Sequence, residues 1–457
     1  MRFRPALRTL FRFGFLVLTL GLSCTIPAYS GQADPPPAKP NASGSTPEFL
    51  ATADEVMNEM SEITGWKLKS PLKKSIRTRD EIHQYILSEM DDEKDAKERY
   101  ASAKTAEAFG LLPKDFNLDS FLVDLLTEQI AGLYDPKKHE FYIADWIQPD
   151  EQRMVMSHEL THALQDQYFH IDGWARAAKP NDDAELARDA VLEGSATAGM
   201  LDYMLRDKGL KLKNLPDMDP SFFIGDLNET PMLKKAPPFI KDSLMFPYLD
   251  GLRFSMFVLK TGGWGGFDAV FARPPANTQQ IMHTNLYREN KVPRPLKVDL
   301  PSGAPGSDWN KLEENAMGEF GWREVLKQFL NDDRAKPLAA AWDGDDYATF
   351  EEKNSKRLML FTRTRFDRAQ DADAFFAAYR EAWLKKYPER TILSDEKDQF
   401  GLDTPSGSAF LLRRDNECLT LEGGTEKILA EWTKKLGWPA LAPIKPEKTA
   451  ASAAGTY

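Results

Sequence analysis

Residues 158–167 read HELTHALQDQ, the most informative segment of the chain. On a helix, His158 and His162 are four residues apart and lie on one face, so their imidazoles can share one metal ion. Glu159 projects beside the first histidine, where it can polarise a metal-bound water. Because the chain has only six histidines, an HExxH pattern arises by chance in roughly one such sequence in a hundred or less. The stretch therefore predicts a helix with a hydrolytic metal site rather than a surface helix with incidental histidines.

Capping signals give the limits of this helix and of the next long one. The first is expected to begin just after Pro149-Asp150, where Asp150 can cap its exposed amides, and to run to about Tyr168. The second is expected over about 182–208, capped by Asn181 or its neighbour and ended by Gly209.

A catalytic zinc needs a third protein ligand besides the two imidazoles. The metzincin pattern HExxHxxGxxH would need glycine and histidine where the chain has Gln165 and Tyr168. Acids on the second helix are the other candidates. Glu193 is the best placed, because the small residues 194–196 would let its helix approach the metal helix closely. Asp189 shares that face one turn earlier, and a solvated carboxylate is the alternative interpretation of Glu193.

HELTHALQDQ, followed on the next helix by LEGSA, resembles the gluzincin type of zincin metallopeptidase, in which HExxH supplies two histidines and a downstream glutamate completes the site. A wider set of segments is similar to an uncharacterised group of exported bacterial zincins. These segments are IAGLYDP (130–136), HELTHALQDQ (158–167), VLEGSA (191–196), FPY..G..F (246–254) and RPP.NT.QIMH (273–283).

The resemblance implies one Zn²⁺ per chain on His158, His162 and Glu193, with Glu159 as general base. Thermolysin-like gluzincins place an aspartate four residues after the glutamate ligand, where this chain has Thr197. Metal-bound imidazoles usually donate their free N–H to a carboxylate or carbonyl. The partners expected for a ligating histidine are therefore Asp166 or Asp189.

The expected reaction is the hydrolysis of a peptide bond in a peptide or protein substrate by a zinc-activated water. The oxyanion of that reaction needs a further donor, for which Tyr142, His283 and Tyr287 are the polar candidates. His283 follows a proline pair and a predicted short helix, and a purely structural histidine is the alternative interpretation. In zincins a strand before the metal helix lines the cleft and can pair with an extended substrate, so the resemblance implies this role for residues 139–144.

Two other functions fit the same residues. A zincin scaffold without turnover would bind a peptide or a surface, and a zinc hydrolase would attack a non-peptide bond such as an ester or epoxide. Retention of both histidines and Glu159 favours the enzyme.

The predicted fold class is α+β. A mostly helical zincin-like catalytic domain, with a small sheet or hairpin at the cleft, is expected over 48–300. The hairpin has its turn at 135–138. A smaller α+β domain is expected over 301–457, where alternating apolar segments and two helical patterns follow a Pro/Gly-rich stretch.

The N-terminus has the pattern of an export signal. Four arginines precede a short apolar run, and Ala28-Tyr29-Ser30 offers a cleavage site, so residues 1–30 are interpreted as a signal peptide. Residues 31–47 are rich in Pro, Gly, Ala and Ser and are predicted to be a disordered linker. A lipid anchor on Cys24 is a poorer match, because Leu20 lies four rather than three residues before it. The mature protein is therefore expected to be periplasmic or extracellular, without a transmembrane segment.

The composition argues against a nucleic-acid partner. Acidic residues outnumber basic ones by 70 to 59, and the basic residues form no long block. The two cysteines lie in no metal-binding pattern, so a metal must be held by histidine and carboxylate.

Overall fold

The computed structural model describes residues 46–91, 93–147, 149–224 and 230–444. The predicted signal peptide, Cys24 and nearly all of the predicted linker lie outside these residues. The α+β fold class is confirmed, with a large helical region first and a domain built on a seven-stranded sheet after it. No helix in the described ranges is both long and apolar enough to cross a membrane.

The helical region contains thirteen α-helices and three strands within the described residues. In chain order these are α1 (Thr46–Thr64), β1 (Lys73–Arg77), α2 (Arg79–Met90), α3 (Glu93–Phe109), α4 (Leu118–Gln129), β2 (Gly132–Asp135), β3 (Glu140–Ala144), α5 (Pro149–Phe169), α6 (Ile171–Arg176), α7 (Asp182–Arg206), α8 (Ser221–Ile224), α9 (Pro231–Lys235), α10 (Pro238–Gly262), α11 (Gly266–Ala272), α12 (Thr278–Met282) and α13 (Thr284–Glu289), with a 3₁₀ turn at Leu212–Asn214.

The two long helices predicted from capping signals are both present. Helix α5 carries the HExxH residues, but it begins at Pro149, so Asp150 lies inside the helix and its predicted role as the cap is wrong; the helix ends at Phe169, one residue beyond the expected limit. Helix α7 begins where Asn181 accepts a hydrogen bond from the Ala184 amide at 3.0 Å, so the predicted cap is confirmed. Gly209 follows its end at φ +67°, a conformation that glycine adopts readily.

The predicted hairpin is confirmed as β2 and β3, but β3 is the middle strand of a three-stranded sheet in the order β1-β3-β2. Strand β1 pairs with β3 in parallel, from Lys73 beside Glu140 to Arg77 beside Ala144. The expectation that residues 139–144 pair with a substrate strand is therefore wrong, because both edges of that strand are already hydrogen-bonded. The edge strand beside α5 is β2.

The small residues 194–196 were expected to let α7 approach the metal helix, but Gly194 faces a different helix. A Cβ added to Gly194 would lie 2.0 Å from the carbonyl carbon of Gly251 on α10, and a Cβ on Gly251 would lie 2.2 Å from the Ala190 oxygen. The glycine beside Glu193 thus lets α7 approach α10 rather than the metal helix. Ser195, from the same small run, contacts the metal helix through Gln165.

Replacing Gly194 with Ala should destabilise the fold strongly. The added methyl group meets backbone on the opposing helix, which cannot rotate away, so we expect a loss at the upper end of the 1–3 kcal/mol typical of overpacking, about 3 kcal/mol. Urea unfolding followed by circular dichroism measures the change. Gly262→Ala is the matched control, because a Cβ there meets no atom within 4 Å, and it should leave the midpoint unchanged or slightly higher.

The second region is an antiparallel sheet covered by helices on both faces. Its elements are β4 (Trp309–Asn315), α14 (Gly318–Phe329), α15 (Asp332–Ala340), β5 (Trp342–Glu352), β6 (Leu358–Phe366), α16 (Ala369–Lys386), β7 (Thr391–Glu396), β8 (Gln399–Thr404), β9 (Gly407–Arg414), β10 (Glu417–Gly424) and α17 (Glu426–Lys435). The strand order is β4-β5-β6-β10-β9-β8-β7.

The alternation of side chains along the strands separates two cores. Leu411 belongs to the main core under α16, whereas Phe410 and Leu412 belong to a smaller core under α17, which includes Trp432. The main core also contains Trp322 of α14, whose ring meets Phe109 of the helical region edge-on at 6.1 Å. The helical region and the sheet are therefore packed around one shared core.

A buried polar junction fixes the start of α7 against the second region. Asp183 accepts a hydrogen bond from the Thr278 hydroxyl at 2.6 Å and lies against Gly318, whose φ is +68°. Asp345 of β5 accepts the amide of Met317 at 2.8 Å. Burial raises the pKa of Asp183 to about 7. This junction holds α12, and the residues that follow it, at the N-terminal end of α7.

Candidate metal centre

Three predicted ligands converge in the interior. The Nε2 atoms of His158 and His162 are 3.1 Å apart, and Oε2 of Glu193 lies 3.2 Å from the first and 3.7 Å from the second. All three side chains are at most 2% exposed. Within the described residues they are the one group of three or more His, Cys, Asp or Glu side chains whose ligand atoms lie close enough to hold a metal.

The distances and the chemistry of the donors fit zinc. Ligand atoms about 2.0–2.1 Å from a tetrahedral zinc lie roughly 3.3 Å from one another, which is close to the observed separations. Burial lowers the pKa of His158 to about 3 and that of His162 well below its usual value, so both imidazoles are neutral, as metal binding requires. Oε1 of Glu193 is buried and has no hydrogen-bond partner among the described residues, which also suits a cation beside it.

The orientation of His162 follows from a chain of hydrogen bonds. Ser195 donates to the Val191 carbonyl, so its oxygen accepts the amide N–H of Gln165 at 2.7 Å. Oε1 of Gln165 then lies 2.9 Å from Nδ1 of His162 and accepts a hydrogen bond from its N–H. Nε2 of His162 is left with its lone pair directed at the other two ligands.

The partner of His162 is therefore an amide rather than the expected carboxylate. Asp166 instead accepts hydrogen bonds from the Tyr134 hydroxyl at 2.8 Å and from the Ile171 amide at 3.1 Å. Its carboxylate also lies 2.9 Å from Nδ1 of His139. The negative charge of Asp189 acts on Glu193, where it adds to burial in raising the pKa of that carboxyl well above its usual value.

Truncating Gln165 should weaken zinc binding without removing a ligand. Because Gln165 fixes the imidazole of His162, we expect Gln165→Ala to lower zinc affinity 10- to 100-fold, the range typical of a residue that orients a ligand. Competition with a chromophoric chelator measures the affinity. Gln167→Ala is the matched control on the same helix, since Gln167 bonds the backbone of Lys69 and Ser70 instead. Equal affinity in the two variants would contradict this role.

Glu159 lies beside the ligands and is held by the neighbouring strand. The backbone amide of Tyr134 in β2 donates to its Oε2 at 2.7 Å, while its Oε1 is buried and accepts no hydrogen bond from any residue that the structure describes. Burial, and next the charge of Glu193, raise the pKa of Glu159 well above its usual value. One oxygen of this carboxyl is therefore fixed and the other is available to react.

Two of the three oxyanion candidates point elsewhere. A Cβ on Gly132 would face Val155 and Glu159 of α5, so its neighbour Leu133, and Tyr142 opposite it, lie on the other face of the sheet. The hydroxyl of Tyr287 donates to the Arg273 carbonyl at 2.9 Å.

His283 has a carboxylate partner of its own. Its Nε2 lies 2.8 Å from Oε1 of Glu319, and this hydrogen bond raises the pKa of His283. The preceding helix α12 is held at Asp183, ten residues before Glu193 and hence about 15 Å away along α7. These contacts favour the structural alternative for His283, and its role at the oxyanion stays a prediction.

Tyr248 is a site residue that the sequence argument missed. Its ring stacks on His158, with centroids 6.2 Å apart and an angle of 27°, and its hydroxyl interacts with Glu193 and lowers the pKa of that carboxyl against the effect of burial. It is 4% exposed. The available signal was its place in the FPY..G..F segment, where Gly251 brings α10 against α7.

Comparison with known proteins characterises only the second region. A family described as Domain of unknown function (DUF8575) matches residues 309–431, which begin at β4 and end within α17. The match covers the seven-stranded sheet and leaves the metal centre outside it. No curated protein and no solved structure is significantly similar to the chain.

Proposed function

We propose that the protein is a zinc-dependent metallopeptidase of gluzincin type, with zinc on His158, His162 and Glu193 and with Glu159 as general base. The observation that carries the proposal is the convergence of three buried ligand atoms, 3.1–3.7 Å apart, on neighbouring helices. Oε1 of Glu159 has no hydrogen-bond partner among the described residues. It supports hydrolysis, because a metal site that only binds its ligand has no use for a general base.

The chain's own groups divide the work of the reaction. Zinc, when bound, supplies a Lewis acid that polarises the scissile carbonyl and lowers the pKa of water toward 7. Glu159 takes the proton of the attacking water on its Oε1, since the Tyr134 amide holds its Oε2, and it returns the proton to the leaving amine. The ring of Tyr248 stacks on His158 and its hydroxyl interacts with Glu193, so rotation of that one O–H would let it donate to the developing oxyanion.

An extended substrate would pair with the edge of β2 that no strand occupies among the described residues. In the β2–β3 ladder the Ala144 amide donates to Ala131, so the main-chain groups of Gly132 and Tyr134 point away from β3. One of them, the Tyr134 amide, already reaches Glu159, so this edge leads to the metal centre.

Two substitutions distinguish the oxyanion donors. Tyr248→Phe should lower kcat for peptide hydrolysis by roughly a hundredfold with zinc content unchanged, the loss typical of one such donor. His283→Ala should leave kcat within a few-fold of wild type, because His283 bonds Glu319. The opposite pattern, with zinc content and thermal stability intact in both variants, would return the role to His283.

The proposed function is tested by metal analysis together with cleavage of casein and a peptide library. We expect one zinc per chain, and cleavage that stops on chelation and returns with added zinc. A protein that holds zinc but cleaves no peptide would favour the binding module or the hydrolase of esters or epoxides, which ester substrates would then separate. The proposed location outside the cytoplasm rests on residues 1–30 alone.

A further inference from the structure

A cavity lies on the sheet face that is turned away from the metal helix. It has a volume of about 450 Å³ and is formed between α2 and the three-stranded sheet, with Ile82, Tyr85, Leu133 and Tyr142 among its lining residues. Because Leu133 and Tyr142 are paired across β2 and β3, they share the face opposite Gly132 and Glu159. The cavity is thus separated from the metal centre by one layer of sheet, and its size is that of a small-molecule site.

The inner lining of this pocket is apolar and aromatic. Ile82 and Leu133 are both 1% exposed, and the rings of Tyr85 and Tyr142 are 5.9 Å apart. Both tyrosine hydroxyls are engaged with carboxylates, that of Tyr85 with Asp135 at 2.9 Å and that of Tyr142 with Glu140 at 3.2 Å. The lining therefore favours a ligand with an apolar or aromatic body.

Two cationic side chains lie over these rings, and the carboxylates paired with them are 3.4 Å away or farther. The guanidinium of Arg77 lies 4.9 Å from the Tyr142 ring and no closer than 3.6 Å to a paired carboxylate, that of Glu81. Nζ of Lys138 lies 4.4 Å from the Tyr85 ring and 3.4 Å from Asp135. Close charge-assisted hydrogen bonds are about 2.7–2.9 Å long, so a carboxylate ligand could bind each cation more tightly than its present partner does.

The acidic residues of the lining restrict the charge of such a ligand. Glu81 is occupied as the acceptor of a capping box, with its Oε2 2.8 Å from the Thr78 amide. Asp80, in the first turn of the same helix, also lines the pocket and would repel a phosphate or a polyanion more strongly than a single carboxylate.

We propose that this pocket is a binding site for a small monocarboxylate with an apolar or aromatic body, bound through Arg77 and Lys138. Ligand binding in this pocket does not require peptidase activity. The pocket is still linked in structure to the metal centre, because Leu133 in its wall precedes Tyr134, whose amide holds Glu159.

Binding of N-acetyl-phenylalanine, compared with its neutral amide, tests the proposal. The full chain carrying Glu159→Gln is titrated by ligand-observed NMR, and hydrogen exchange of the peptide containing residues 132–135 is followed. The acid should bind at least about tenfold more tightly than the amide, the value of one charge-assisted hydrogen bond, and should protect that peptide.

Charge-removing variants locate the bound carboxylate. Lys138→Ala and Arg77→Ala should each weaken binding of the acid about tenfold, whereas Lys137→Ala should not, since Lys137 is paired with Glu89 outside the lining. Lys138→Gln repeats the test if the alanine variant loses its circular dichroism signal. Any of three results would overturn the proposal. The acid and the amide could bind equally well, the acid could show no binding at about 10 mM, or Lys138→Ala and Lys138→Gln could both leave the affinity unchanged.

Discussion

Glu159→Gln should lower kcat for peptide hydrolysis by about 10²–10⁴-fold and leave the zinc in place. The reason is geometric: the substitution keeps the shape of the side chain and an oxygen that can accept the Tyr134 amide, but it removes the base on the free oxygen. Metal analysis and peptide cleavage are measured on the same preparation, so that a lost cofactor is not mistaken for a lost base.

Glu151→Gln is the matched control for this experiment. Glu151 lies on the same helix α5 but is exposed at its first turn, so the identical chemical change there should alter neither cleavage nor zinc content. If Glu159→Gln kept wild-type kcat, Glu159 would not be the base. If it lost its zinc, the carboxylate would be needed for metal binding instead.

Glu193→Ala should remove most of the bound zinc. Removing one of three protein ligands should lower zinc affinity by more than the 10- to 100-fold that is typical of residues supporting a ligand, so we expect a loss of at least about 100-fold, with hydrolysis lost in parallel. Competition with a chelator of known affinity measures the change. Glu193→Gln guards against misfolding of the alanine variant, because it fills the same buried space with a weaker ligand.

Asp189 provides the contrasting substitution, one turn earlier on α7. Asp189→Ala should retain zinc, because Asp189 is not among the three converging ligands and acts on Glu193 through its charge. Loss of zinc in Asp189→Ala, with Glu193→Ala unaffected, would move the third ligand back by one turn.

Local signals in the sequence predicted those parts of the site that lie within one element. The spacing of His158 and His162 places them on one face of a helix, and the Asn181 cap and Gly209 mark the ends of α7. The choice of Glu193 agrees with the converging ligand atoms, although part of its argument was wrong. Small residues indicate close helix approach, but their spacing does not say which neighbour approaches, and Gly194 faces α10.

Contacts between distant segments could not be predicted in the same way. Tyr248 lies 55 residues after Glu193, and only the packing of α10 on α7 brings the two together. Strand β1, KKSIR, is too polar to show a strand pattern, and its parallel partner β3 lies more than sixty residues later. The edge strands β4 and β7 also show no clear strand pattern, because their exposed positions carry charged or polar residues.

The donor that holds Glu159 belongs to the main chain of residue 134 and not to a side chain. Every amino acid except proline supplies that amide, so homologous proteins can vary at position 134 and keep the interaction, at the expense of the tyrosine's contact with Asp166. Position 132 has no such freedom, because a Cβ there would lie 2.5 Å from Val155. In a search for distant homologues, glycine at 132 is therefore the more diagnostic residue of the pair.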